Sequence, residues 1–131
     1  MPVKAVLGVL LALLLGCEER ERLTFESDPT DRVGPASQIH TPSQDTVLTE
    51  GDLFVVGART VDTSGIDTVF IQVDGANLNY LPIDANGTDT LDFAVNLPTL
   101  NLGGRTITLG VFGVDVIGNV GPTVSRSITI E

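Results

Sequence analysis

The stretch FVVGARTVDTSGI, residues 54–66, alternates apolar and small or polar side chains and then breaks into a turn. Phe54, Val56, Ala58 and Thr60 fall on one face, and Val55, Gly57 and Arg59 on the other. A period of two is the mark of a half-buried strand, because successive side chains of extended chain point to opposite faces. A second stretch, ITLGVFGVDVIGN, residues 107–119, repeats the design. Ile107, Leu109 and Val111 alternate with Thr108, Gly110 and Phe112, and the run closes on Asp115, Gly118 and Asn119.

Outward from these two stretches the same period recurs. Val69, Ile71 and Val73 alternate with Phe70 and Gln72, and Leu91, Phe93, Val95 and Leu97 with Asp92, Ala94 and Asn96. Val124 to Ile130 reads as the last strand, with Ile128 and Ile130 inward. Ser37–Thr41 and Thr46–Leu48 read as a first strand broken at Pro42, the placement expected of proline at a sheet edge. Tyr80 to Ile83 is a further short candidate. Gly, Asn, Asp and Pro fill the gaps (Asp74-Gly75, Asn86-Gly87, Pro98, Gly103-Gly104), and no segment of this region carries a helical period. About seven short strands with turn signals every eight to twelve residues predict an all-β, two-sheet sandwich. The core expected from the alternation is Phe54, Val56, Val69, Ile71, Leu91, Phe93, Leu109, Val111 and Ile128.

The other end of the chain has a different character. Lys4 supplies a positive start, Ala5 to Leu15 form an apolar run, and Gly16 is the small residue a peptidase accommodates. The run is shorter than the roughly 20 residues needed to span a bilayer, and Glu18, Glu19, Arg20, Glu21 and Arg22 end it sharply. Leu14-Leu15-Gly16-Cys17 resembles the lipobox of bacterial lipoproteins. That resemblance implies that Cys17 becomes the first mature residue and carries acyl chains, more than one of which makes attachment stable. Glu18, in place of Asp, favours the outer membrane where a cell has two. Cys17 is the sole cysteine, so an exported domain would hold together without a disulfide. The expected organisation is a signal peptide over residues 1–16, a tether over 17–36 rich in charge, Ser, Asp, Pro and Thr, and one domain over 37–131. Leu23 and Phe25 are the tether's only large apolar residues.

The two alternating strands that end in Asp-x-x-Gly, Asp62 to Gly65 and Asp115 to Gly118, resemble regions of bacterial immunoglobulin-like domains close to the fibronectin type III and cadherin-like group. The resemblance covers residues 37–131. It departs from antibody domains, having neither tryptophan nor a cysteine pair. It implies an immunoglobulin-like sandwich serving as a structural or adhesive module, without catalysis. In that topology three loops share one end, which would gather Asp62, Asp84, Asp89 and Asp115 with Asn86 and Asn119. Hard oxygen ligands on converging loops suit Ca²⁺. The plainer account of each Asp-x-x-Gly is a turn in which Asp accepts backbone N–H bonds and Gly takes a left-handed conformation.

Net charge is −10 and every cation after Lys4 is Arg, with no basic cluster, which argues against nucleic acid. His40, the sole histidine, has no cysteine partner or nearby acid–base pair and reads as an exposed residue of the first strand. The sequence offers no Ser-His-Asp arrangement or zinc spacing, and Gly103-Gly104-Arg105 is a turn with no helix after it, not a phosphate loop. Phe70 and Phe112 are expected to point outward and, on neighbouring strands, to form an apolar patch that either marks a partner surface or is covered by the tether or a loop. The functional expectation is a membrane-anchored envelope lipoprotein with a binding or scaffold domain, its partner an envelope protein or polysaccharide. The alternatives are a calcium-dependent adhesion or carbohydrate-binding module and, more weakly, a small hydrolase subunit.

Overall fold

The computed structural model describes residues 31–131; the lipobox and Cys17 lie outside the described residues. The elements are β1 (Ala36–Thr41), β2 (Thr46–Leu48), β3 (Leu53–Val61), β4 (Ile66–Asp74), β5 (Ile83–Asp84), β6 (Thr90–Pro98), β7 (Thr106–Asp115) and β8 (Val124–Ile130). They build two sheets, a three-stranded one ordered β1-β3-β6 and a five-stranded one ordered β2-β8-β7-β4-β5. Thus the described residues form an all-β sandwich.

The break at Pro42 switches the first strand between sheets. β1 pairs antiparallel with β3, whereas β2 pairs parallel with β8. Proline offers no N–H to a ladder, so pairing ends where it stands. The crossing is closed from the opposite sheet by Arg126, whose guanidinium donates to the carbonyls of Ile39 (2.9 Å), Pro42 (3.0 Å) and Ser43 (3.3 Å).

The core lies between the sheets and follows the alternation. Val56, Ala58 and Leu97 face Val69, Ile71, Leu109, Val111, Ile128 and Ile130, with Ile39 from β1 and Ile66 at the head of β4. Thr60 is buried among them and satisfies its hydroxyl against Ser37 Oγ at 2.8 Å. Three expected core residues differ. Phe54, Leu91 and Phe93 pack against the core yet remain half-buried. Phe54 stands one residue from the start of the central β3. Leu91 and Phe93 lie on β6, the outer strand of its sheet, and the strand beyond β4 in the facing sheet, β5, has only two residues, so the cover there is incomplete. The segment after β4 supplies part of it: Ala76, Leu78 and Tyr80 pack against the core, and Tyr80 Oη donates to the Asn96 carbonyl at 2.6 Å.

Candidate functional site

Among the described residues two places collect chemistry: the end of the sandwich that carries the β3–β4 and β7–β8 connections, and the outer face of the five-stranded sheet.

At the loop end each Asp-x-x-Gly organises its own turn. Asp62 Oδ1 accepts from the Ser64 N–H (2.8 Å), its carbonyl accepts from the Gly65 N–H (3.1 Å), and Gly65 has φ +97°, a conformation that costs glycine little. Asp115 Oδ1 accepts from the N–H groups of Ile117 (3.0 Å) and Asn119 (2.8 Å), while Asn119 Nδ2 donates to Asp115 Oδ2 at 3.0 Å. The Val116 N–H donates to the Gly65 carbonyl at 3.0 Å and joins the two turns.

The segment ahead of β1 is fastened to this end. Asp31 Oδ2 accepts from Ser64 Oγ, and the Asp31 carbonyl accepts from Asn119 Nδ2 at 3.2 Å. Gly34 and Gly121 let two backbones touch: a Cβ on Gly121 would collide with the Pro35 carbonyl, and one on Gly34 with the backbone of Val120 and Gly121.

Carboxylate oxygens of Asp31, Asp62 and Asp115 therefore lie within 4.8 Å of one another. Asp115 is only 1% exposed. Burial pushes its carboxyl up, but the donors from Asn119, Ile117 and Gly118 outweigh burial and hold it below the usual carboxylate range. Asp62 goes the other way. Burial raises it, the Ser64 N–H only partly offsets this, and the charges of Asp115 and Asp31 raise it further. Asp62 Oδ2 is buried and has no hydrogen-bond partner among the described residues. An ionised carboxylate with a buried, unpaired oxygen beside two others is costly until a proton or a cation shares it.

Of the residues expected to gather here, Asp62, Asp115 and Asn119 meet. Asp84 and Asp89 stand nearby in the chain path but outside the trio: Asp84 Oδ1 accepts from the Asn86 N–H (2.9 Å), and Asp89 contributes its carbonyl to the Asp62 N–H (2.8 Å). The third member, Asp31, is not among the expected residues. It sits in a polar stretch without period, and only the three-dimensional path of residues 31–35 brings it in.

On the sheet face, Phe70 and Phe112 are direct cross-strand partners and stack, with centroids 5.0 Å apart and planes 14° from parallel. Their neighbours Val69, Ile71 and Val111 point into the core, so both rings stand on the outer side, half-buried against each other.

No protein-family profile matches the chain, and no curated protein does. Solved structures match its fold. The SrpA adhesin R347E mutant from Streptococcus sanguinis aligns at 20% identity and TM-score 0.55, over 78% of this chain and 57% of that one. The sialic acid binding region of a Streptococcus sanguinis SK1 adhesin aligns at 21% and 0.56, over 78% of this chain and 31% of that one. A Clostridium thermocellum CbhA fibronectin(III)-like module aligns at 13% and 0.51, over 73% of this chain and 96% of that one. The chain thus spans only part of the two adhesin structures. The shared feature is the fold, an immunoglobulin-like, fibronectin III-like sandwich.

Proposed function

We propose that this chain is an exported lipoprotein of the bacterial cell envelope, anchored through acyl groups on Cys17, whose sandwich is a non-catalytic binding or scaffold module. The stacked Phe70–Phe112 pair carries the binding part of this reading: two large rings on an outer sheet face are a hydrocarbon surface that a partner can cover. The Leu-Leu-Gly-Cys run and the apolar stretch before it support the anchor. Anchoring and binding are tested together. In a bacterium that processes lipoproteins, the full chain is expected in the membrane pellet with acyl mass on Cys17, and Cys17→Ser in the soluble fraction. An unmodified residue 17 in the wild type overturns the anchor. Chemical cross-linking in whole cells is expected to yield an envelope adduct that Phe70→Ala and Phe112→Ala deplete; adducts of equal yield overturn the binding face.

A second reading, calcium-dependent adhesion, is favoured by the unpaired Asp62 Oδ2 within the Asp31–Asp62–Asp115 trio. Ca²⁺ takes six to eight oxygens at once, and these three carboxylates from three chain segments supply the start of such a shell. A cation there would tie residues 31–35 to the domain. Ca²⁺ at about 100 times its dissociation constant should raise the melting temperature by roughly 10 °C or more. Asp62→Asn should melt higher than the wild type in chelator, because the amide donates where the carboxylate oxygen has no partner, and should lose the calcium response. A melting temperature indifferent to millimolar Ca²⁺ would remove this reading.

A further inference from the structure

The strand register places every outward side chain of the five-stranded sheet in rows. Thr106 pairs with Thr129, their hydroxyl oxygens 3.2 Å apart, and Thr129 with Val47 beyond it. The next row is Ser127, Thr108 and Asp74, and the next Ser125, Gly110 and Gln72. Then come the Phe112–Phe70 stack and, last, Val114, Thr68 and, on β5, Asp84. Across β8, β7 and the centre of β4 the outward side chains are uncharged, and the carboxylates of Asp74 and Asp84 stand at the two borders. In a chain of net charge −10, that is an unusual concentration of neutral hydroxyl, amide and aromatic groups. The outer face of the other sheet differs: there Arg59 and Asp92 form a cross-strand ion pair at 2.6 Å.

We propose that the outer face of the five-stranded sheet binds an uncharged polysaccharide, with the Phe70–Phe112 stack under the C–H face of a sugar ring and the Ser/Thr/Gln rows meeting its hydroxyls. The inference rests on the reading of this face as the binding surface. Charge selects the ligand class. A neutral face on an acidic protein repels neither water-rich polyols nor their close approach, whereas an anionic polymer meets the field of the whole molecule. The composition also separates a polyol from a protein partner. Protein interfaces build a fully buried, more apolar centre enriched in aromatic residues, Met and Arg, while here two rings sit in a field of hydroxyls. Adjacent strands are about 4.8 Å apart, so the rows offer hydroxyl groups at the spacing of substituents across a sugar ring, directly or through bridging water. Gly110, between the aromatic stack and the Ser127–Thr108 row, is buried under Thr123, whose methyl lies 3.0 Å from where a Cβ would stand.

The test is affinity electrophoresis of the folded chain in gels containing a soluble neutral glucan, xylan or mannan, with polygalacturonate as the anionic comparison. At least one neutral polymer should retard the wild type, and polygalacturonate should not. Phe70→Ala or Phe112→Ala should weaken retention about tenfold, the value of one aromatic contact. Val55→Ser, on the other sheet, should leave it unchanged. Circular dichroism melting of each variant separates lost binding from lost fold, and Phe70→Leu, which keeps bulk without a ring, gives a second readout if an alanine variant does not fold. No retardation in any neutral gel, retention in polygalacturonate alone, or retention indifferent to both rings overturns the proposal. If the cellular cross-link still depends on Phe70 and Phe112 in those cases, the binding face stands and its partner is a protein. A concentration-dependent dimer in sedimentation that these two substitutions abolish makes the occupant a second copy and also overturns it.

Discussion

Leu97→Ala is expected to cost about 2–5 kcal/mol, against a total stability of order 5–15 for a domain of this kind. Leu97 is fully buried on β6, opposite Phe54 in register, and lies between the sheets. Truncation removes three carbons from a site bounded by two sheets. Backbone ladders keep each sheet stiff, so neither closes fully onto the gap and the cavity collapses only in part. Phe93, two positions further from that end on the same inward face than Val95, is the instructive contrast. It has the larger side chain but is only half-buried, so Phe93→Ala should cost less than Leu97→Ala. Urea denaturation of both variants, with the slope checked for constancy, measures the difference. A greater loss at Phe93 would mean that the β6 edge is closed as tightly as the centre.

That contrast also shows where a period of two stops being informative. Alternation says which face a side chain takes, and it did so for Val56, Val69, Ile71, Leu109, Val111 and Ile128, all of them buried. It is silent on what stands opposite that face. Leu91 and Phe93 on the outer strand β6 alternate as cleanly as the others, yet the facing sheet ends in a two-residue strand, and that is a property of the whole arrangement. Pro42 was legible as a break because a missing N–H is a local fact; the transfer of the strand to the opposite sheet, with Arg126 holding three carbonyls of the crossing, was not. At the loop end, each Asp-x-x-Gly reads as a turn by itself. Their meeting with Asp31 depends on residues 31–35 lying against Gly121 and Asn119, contacts between positions more than 80 apart in the chain. The Phe70–Phe112 pair was legible because only one register question, whether β4 and β7 are neighbours, separated the pattern from the contact.

The largest effect expected at the loop end is from Asp115→Ala, about 3 kcal/mol measured in chelator. The carboxylate accepts from two backbone N–H groups and the Asn119 amide, and so shapes the turn that returns the chain to β8. Alanine leaves those donors without an acceptor at a position that is 1% exposed. Asp115→Asn should lose less, since its carbonyl oxygen still serves the two N–H groups, but its amide nitrogen faces Asn119 Nδ2, donor against donor. The pH dependence has a definite sign. The folded-state pKa of Asp115 is depressed, so its ionised form contributes stability above the ordinary carboxylate pKa of about 4, and this is lost as pH falls through the lower folded-state value. The gap between wild type and Asp115→Asn should therefore be widest near neutrality and narrow in acid. Asp62 bends the curve in the opposite sense. Its raised pKa means that the folded state gains from protonation, a gain fully present below the unfolded-state pKa and lost as pH rises through the folded-state value. Melting curves of wild type, Asp115→Asn and Asp62→Asn across pH 3 to 7 separate the two. If the Asp115→Asn gap is constant over that range, the carboxylate charge contributes nothing there and the turn is held by shape alone.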